Sequence, residues 1–234
     1  MIELLTGRWQ DVLVPRFPEA KPSVDAIITD PPYSQRVKTG SRGGSSVAAS
    51  RITYNSIGRK EVNEFVDFWV PRTREWLVVW VDHVMFPVWE QEVKAHDWRT
   101  FAPVGWVRTN AAPRMAGDGP TCSVEYLFVA RSPGWPKVRG SRPGHYLVPR
   151  AEKLAPSALQ KLVGRKPLEI VQQVVDAYAE PGDLVVDPYA GSATTLRACV
   201  DGKQNALGAE MDPVVAAAAR SLLPVENPTN PAST

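Results

Sequence analysis

The chain has 234 residues, 44% of them hydrophobic and 22% charged, with a net charge of +2. That composition excludes a mainly disordered chain, and no apolar run approaches the ~20 residues that a bilayer-spanning helix requires. At roughly 150 residues per domain the length predicts one large domain, or one domain with an insertion.

The apolar runs are short and punctuated by Pro and Gly. Ile2 to Leu5 reads as an edge strand, and Val24 to Thr29 as a buried strand that must leave the sheet at Asp30-Pro31-Pro32, because proline cannot continue a central strand. Helical spacing follows from Lys60 to Trp69. A buried strand runs from Trp76 to Val81, a helix from Phe86 to His96, and strands from Phe101 to Val107 and from Val124 to Ala130. Pro167 to Tyr178 predicts a helix with Pro at its first position. A short strand, Leu184 to Val186, precedes Asp187-Pro188. A helix then spans Ala193 to Val200, a strand Ala206 to Ala209, and an alanine-rich helix Pro213 to Leu223. Strands alternating with helices predict an α/β fold with a mixed, mostly parallel sheet flanked by helices.

Charge is distributed unevenly. Ser34 to Lys60 holds six basic residues (Arg36, Lys38, Arg42, Arg51, Arg59 and Lys60) and no acid; Arg131 to Lys166 holds nine against Glu152 alone. The rest of the chain is therefore net negative, and two basic segments on an acidic background predict a polyanion footprint. The first is Ser-, Gly- and Arg-rich and reads as a long mobile loop. The second contains five prolines with Trp135 and Tyr146, and reads as a small insertion whose aromatics either serve recognition or pack on the core. The expected division is residues 1–130, with a mobile basic loop at 34–60; an insertion at 131–165; residues 166–223; and a tail at 224–234.

Two cysteines, Cys122 and Cys199, make neither a disulfide framework nor a zinc knuckle, and the expectation is two reduced, buried thiols. His83, His96 and His145 fall in no metal-ligand spacing. The first residues lack a basic start followed by an apolar block, so a cytoplasmic chain without a signal peptide is expected.

Two motifs carry chemistry. Asp30-Pro31-Pro32-Tyr33 follows a strand, where the crevice of an open α/β sheet lies. The prolines stiffen the turn, so the Asp30 carboxylate and a proline carbonyl face one small space with the Tyr33 ring beside it. Acceptors plus an aromatic face suit a planar ligand bearing an exocyclic amine. The second motif, Asp183 to Asp212, reads as strand, small-residue turn, helix and strand, with Glu210 placed 23 residues after Asp187. Small residues admit a ligand to the backbone, and an acid after the second strand accepts from ribose hydroxyls. No GxGxxG triplet and no GK[ST] occurs, which disfavours a nicotinamide dehydrogenase or an NTPase.

DPPY followed by KPLEIVQQVV, PGDLVVDPYAGSATT and GAEMDP resembles the amino-group DNA methyltransferases that use S-adenosylmethionine, in the motif order of their β group. The likeness extends to the segments LLTGRWQDVL, WLVVWVDH, APVGWVRTN and SVEYLFVARSPG. It implies a Rossmann-like methyltransferase fold with a small recognition insertion. Asp30, Pro31 and Pro32 would hold the target amine, and Tyr33 would stack on a flipped base. Lys166 and Pro167 would lie beside the cofactor, with Asp187, Tyr189, Ala190, Gly191 and Ser192 in its loop and Glu210 on its ribose. Duplex DNA would be the partner. Arg36, Lys38 and Arg42 would close over the base, and Arg139, Arg142 and Arg150 would contact guanine edges or phosphates. A homodimer stays open.

DPPY leans towards adenine N6, with cytosine N4 as the alternative. C5 methylation would need a cysteine after proline, which neither Cys122 nor Cys199 provides. A non-catalytic nucleic-acid-binding protein of this fold and an RNA methylase are further readings. Ala193 departs from the family loop, which usually has a second glycine there. Placed in the first helical turn, as the sequence is read, alanine is harmless; at a position needing positive φ it would cost about 1 kcal/mol.

Overall fold

The computed structural model describes residues 1–34, 56–112, 119–134, 141–149 and 165–224. Among these, nine strands form one sheet: β1 (Ile2–Thr6), β2 (Val24–Thr29), β3 (Thr73–Val81), β4 (Arg99–Thr100), β5 (Val104–Val107), β6 (Val124–Arg131), β7 (His145–Leu147), β8 (Leu184–Asp187) and β9 (Asn205–Glu210). Helices α1 (Trp9–Val12), α2 (Arg59–Trp69), α3 (Phe86–Lys94), α4 (Leu168–Tyr178), α5 (Thr194–Gly202) and α6 (Pro213–Arg220) cover it.

The strand order is β1-β9-β8-β2-β3-β6-β5-β7, with β4 pairing beside β6. The run from β1 to β3 is parallel; β6 is antiparallel to both β3 and β5. Both faces of a parallel sheet must be covered, so the middles of its central strands are apolar and buried. Alternate residues feed two cores. Ala26, Ile28, Val78 and Trp80 pack with Ile170, Val174 and Leu196 of α4 and α5. Ile27, Leu77, Val79 and Val186 pack with Trp9, Phe65, Trp69 and Trp89 of α1 to α3.

Local chemistry explains where elements start and stop. The Asp212 carboxylate caps α6 by accepting from the Val214 and Val215 amides at 2.8 and 3.2 Å, and Pro213 occupies its first turn. Pro167 is the N-cap of α4 rather than its first helical residue. The predicted strand at residues 101–107 is shorter, since Pro103 has no amide to donate; β5 begins at Val104, and the Phe101 amide reaches the Val129 carbonyl separately.

Two features were not expected. Strand β7 comes from the basic 131–165 segment and pairs parallel to β5, with Tyr146 and Val148 buried in the core. Its cue was the alternation over residues 145–148, obscured by the surrounding prolines. Cys199 is buried as expected, but Cys122 is exposed.

Helix α5 lies close on β9 because Gly208 has no side chain: a Cβ there would sit 2.9 Å from Leu196 Cδ1 and 3.0 Å from Ala190 Cβ. Gly208→Ala is expected to cost about 1–3 kcal/mol by overpacking. A lowered urea midpoint with unchanged slope would report it.

Candidate active site

The sheet changes direction of growth between β2 and β8. From β2 the chain proceeds outward through β3, whereas from β8 it proceeds the other way through β9, so the adjacent carboxyl ends of β2 and β8 bound a crevice. Both sequence motifs open into it. The Thr29 hydroxyl, at the end of β2, donates to Asp187 Oδ1 at 2.6 Å, which fastens the two strand ends together.

Asp30 leaves β2 directly into this crevice. Its Oδ2 accepts from Lys166 Nζ at 2.5 Å, while its Oδ1 is buried and has no hydrogen-bond partner among the described residues. Lys166 also donates to the Tyr33 hydroxyl at 3.0 Å, and the Tyr33 hydroxyl donates to Glu125 Oε2 at 3.1 Å. Glu125 Oε2 stands 3.4 Å from Lys166 Nζ, and Oε1 stands 3.6 Å from Arg108. Burial opposes the Lys166 ammonium, but Asp30, Tyr33 and Glu125 outweigh it and hold its pKa well above the usual lysine range. Burial raises the Asp30 carboxyl more than Lys166 lowers it, with Glu125 adding to the rise. Burial, then Asp30, raises Tyr33, which stays a neutral phenol. Beyond Tyr33, the Ser34 amide donates to Asp82 Oδ2 at 2.8 Å, and Asp82 Oδ1 accepts from the Val84 and Met85 amides at 2.9 and 3.0 Å. Asp82 thus anchors the end of the motif to the turn after β3.

The second motif folds as a tight turn between β8 and α5. Gly191 has φ 51° and Ala193 φ 56°. The expected placement of Ala193 in the first helical turn is overturned: it is the left-handed N-cap of α5. Its methyl is buried, however, which offsets the strain at about 0.8 kcal/mol per buried carbon. Ala193→Gly is therefore expected to change stability by less than about 1 kcal/mol, whereas Ala193→Val, β-branched at positive φ, should cost more than about 2 kcal/mol. Chemical denaturation of both variants checks this.

The Ala190 amide donates to the Ala209 carbonyl at 2.9 Å, which laces the turn to β9. Glu210 ends β9 beside the turn and accepts from the Asp212 amide at 2.7 Å. Asp187 Oδ1 accepts from both Thr29 and the Tyr189 amide, the latter at 3.1 Å. Burial pushes the Asp187 carboxyl up to about 6, against hydrogen bonds from Thr29, Thr195 and Tyr189 that favour its charge. A folded value above the ordinary 3.8 means that the native state binds the proton more tightly, so this group withdraws stability as pH rises from there to about 6. Asp187→Asn can keep both bonds on Oδ1. It is expected to flatten the stability slope over that interval and to equal or exceed the parent at neutral pH in thermal unfolding.

The structure redistributes several expected roles. Lys166 and Pro167 were assigned to the cofactor, yet the Lys166 ammonium belongs to the Asp30 group, and Pro167 is buried as the N-cap of α4. The Tyr189 side chain faces the α1–α2 layer: its hydroxyl accepts from Trp9 Nε1 at 3.1 Å and its ring stacks on Phe65 at 6.0 Å, so only its backbone takes part in the turn. The Ser192 and Thr194 hydroxyls pair with each other at 2.8 Å. Arg142 is a strut under the sheet rather than a free cation, packed 4.4 Å over the Trp76 ring with its Nε donating to the Ala177 carbonyl at 2.8 Å. Arg36, Lys38, Arg42, Arg139, Arg150 and Trp135 lie outside the described residues. Glu125, Asp82 and Thr29 were not singled out in the sequence, because each sits in or beside an apolar run that reads as core strand.

A model of the DNA methylase family matches residues 24–221. The Type II methyltransferase M2.DpnII of Streptococcus pneumoniae is 23% identical over 89% of this chain and 85% of its own length. M2.MboI of Moraxella bovis is 24% identical over 81% and 77%. Among solved structures, a complex of M1.HpyAVI with SAM superposes with a TM-score of 0.72, at 19% identity over 95% of this chain and 98% of that one. The cytosine-N4-specific PvuII DNA methyltransferase gives 0.66, at 17% identity over 96% and 87%.

Proposed function

The chain belongs to the DNA methylase family and has the Rossmann-like methyltransferase fold, and on that footing we propose that it transfers a methyl group from S-adenosylmethionine to the exocyclic N6 amine of an adenine flipped from duplex DNA. One observation carries the reading above the rest: Asp30 Oδ1 is a buried acceptor with no donor among the described residues, in the crevice, on a carboxylate whose other oxygen is fixed by Lys166. A buried acceptor left unpaired is costly, and an amine N–H from a substrate satisfies it.

The turn between β8 and α5 fits the cofactor. Gly191 supplies a positive φ with no side chain over the turn, and Glu210 stands at the adjacent strand end as an acceptor for ribose hydroxyls. S-adenosylmethionine, when bound, supplies an electrophilic methyl on a sulfonium. Asp30 Oδ1 and the Pro31 carbonyl would accept the amine's two hydrogens. That favours a pyramidal nitrogen and stabilises the positive charge it gains. Tyr33, kept neutral, offers a ring for the base to stack on, and the rigid Pro31-Pro32 turn holds the amine in line. The base must leave the helix, since its amine edge is otherwise paired.

The basic segments at 34–60 and 131–165 would supply phosphate and base contacts, the second acting as a short recognition insertion. Adenine is favoured by the DPPY sequence, and the same acceptors would serve the N4 amine of cytosine. Methyl transfer from labelled S-adenosylmethionine to unmethylated duplex DNA, with RNA as a parallel acceptor and nucleoside analysis of the product, tests the reading. N6-methyladenine in DNA is expected. N4-methylcytosine would keep the mechanism and change the base. Transfer to RNA alone, or no transfer, would overturn the proposal.

A further inference from the structure

Glu125 lies on the antiparallel strand β6, one residue beyond the point where Tyr126 pairs with Val81 at the end of β3. The strand reversal brings a carboxylate from the far half of the sheet to the end where Asp30 and Asp187 emerge. One of its oxygens serves the site twice, accepting from the Tyr33 hydroxyl at 3.1 Å and facing Lys166 Nζ at 3.4 Å. The other faces Arg108 at 3.6 Å, which fixes the carboxylate from behind. Asp30, Lys166, Tyr33 and Glu125 are therefore linked, with one buried ammonium shared between two carboxylates.

The sharing has a chemical consequence. A lysine belonging to Asp30 alone would draw electron density from the carboxylate that must accept the amine. It would also leave Asp30 alone to balance both that ammonium and the positive charge growing on the nitrogen. A second carboxylate on the same ammonium relieves both effects. The hydrogen bond from Tyr33 further fixes the rotation of the ring on which the base stacks.

We infer that Glu125 is a positioning residue of the methyl transfer, holding Tyr33 in its stacking orientation and balancing Lys166 so that Asp30 stays available to the amine. This rests on the amino-methyl-transfer reading. The two duties separate by substitution. Glu125→Gln keeps an acceptor for the Tyr33 hydroxyl and removes the charge, whereas Glu125→Ala removes both.

The test uses the full chain, unmethylated genomic DNA and labelled S-adenosylmethionine, and measures kcat and the KM for DNA. Wild type, Glu125→Gln, Glu125→Ala, Tyr33→Phe and the Tyr33→Phe/Glu125→Ala double variant are compared. Glu125→Gln is expected to lower kcat about tenfold with KM within about twofold. Glu125→Ala should lower kcat on the order of a hundredfold, the scale of a small misplacement of reacting groups, and also raise KM. In the Tyr33→Phe background, Glu125→Ala should produce no further rise in KM, because the bond through which it acts is already gone. Active wild type with both Glu125 single variants within twofold, or KM effects fully additive with Tyr33→Phe, would overturn the inference and leave the methyl-transfer reading standing. A wild type that transfers nothing to DNA would overturn that reading and the inference with it.

Discussion

Asp30→Ala is expected to lower methyl transfer at least about a thousandfold, with cofactor affinity unchanged within a few-fold. The acceptor it removes acts on charge that develops only in the transition state, and a single preorganised group of that kind is worth about 10²–10³ in rate. Loss of ground-state contact between Asp30 and the amine adds to this. Asp30→Asn should fail almost as badly, because its amide must either present N–H groups to the Lys166 ammonium or turn them on the substrate amine. The wild-type pH profile carries the same signature. Burial raises the Asp30 carboxyl above its ordinary 3.8, and only the carboxylate offers both acceptor oxygens, so the rate is lost on acidification with a midpoint above that value. Single-turnover transfer, with cofactor titration by calorimetry in parallel, checks both statements. Normal cofactor binding separates a catalytic defect from a folding one.

Lys166→Met is expected to destabilise the protein by about 3 kcal/mol, the low end for breaking a buried ion pair, and to abolish transfer. Lys166 itself is 6% exposed, while Asp30 and Glu125 are 28% and 22% exposed, so solvent screens part of the repulsion left behind. The direction with pH follows from the charges. Lys166 has a folded pKa above its unfolded one, so its contribution is fully present below the unfolded value and is lost as pH rises through the folded one. The parent should therefore exceed the variant throughout the neutral range. In the variant, Asp30 and Glu125 lose the ammonium they share and only Arg108, on the far oxygen of Glu125, is left, so acidification should stabilise it relative to the parent and narrow the gap. Urea unfolding of both proteins at mildly acidic, neutral and strongly alkaline pH measures the expected pattern; a gap unchanged by pH would mean that packing, not charge, is what Lys166 provides.

The parts of this molecule that were readable in its sequence are those where one residue type has one physical use. Val24 to Thr29 is a strand with the expected bounds because its short, mostly apolar run, with Ala26, Ile27 and Ile28 fully buried, ends in Asp-Pro-Pro, which cannot continue a sheet. That Asp30 enters the crevice was readable for the same reason: it is a carboxylate forced out of the sheet by proline. Glu125 was not, because Glu-Tyr-Leu-Phe-Val-Ala looks like core strand, and its partners Tyr33 and Lys166 are 92 and 41 positions away in the chain. The direction of the Tyr189 ring was not readable, because adjacency to the glycine turn says nothing about which face of the sheet it takes. Ala193 was misread because alanine favours helices, and that propensity suggested a conformation that the turn does not allow. Arg142 shows the complementary error: a basic segment can contain arginines that hold the protein rather than its ligand.

The bond between Thr29 and Asp187 joins residues 158 positions apart. Asp30 and the turn that would seat the methyl donor therefore come together only when segments far apart in the chain have paired. The central pairing of β2 with β8 closes a very long loop before it gains any contact, which is the topology of a slow folder. Until that pairing forms, the flank of β2 that faces β8 stays uncovered, the kind of unpaired apolar edge that makes a folding intermediate prone to aggregate.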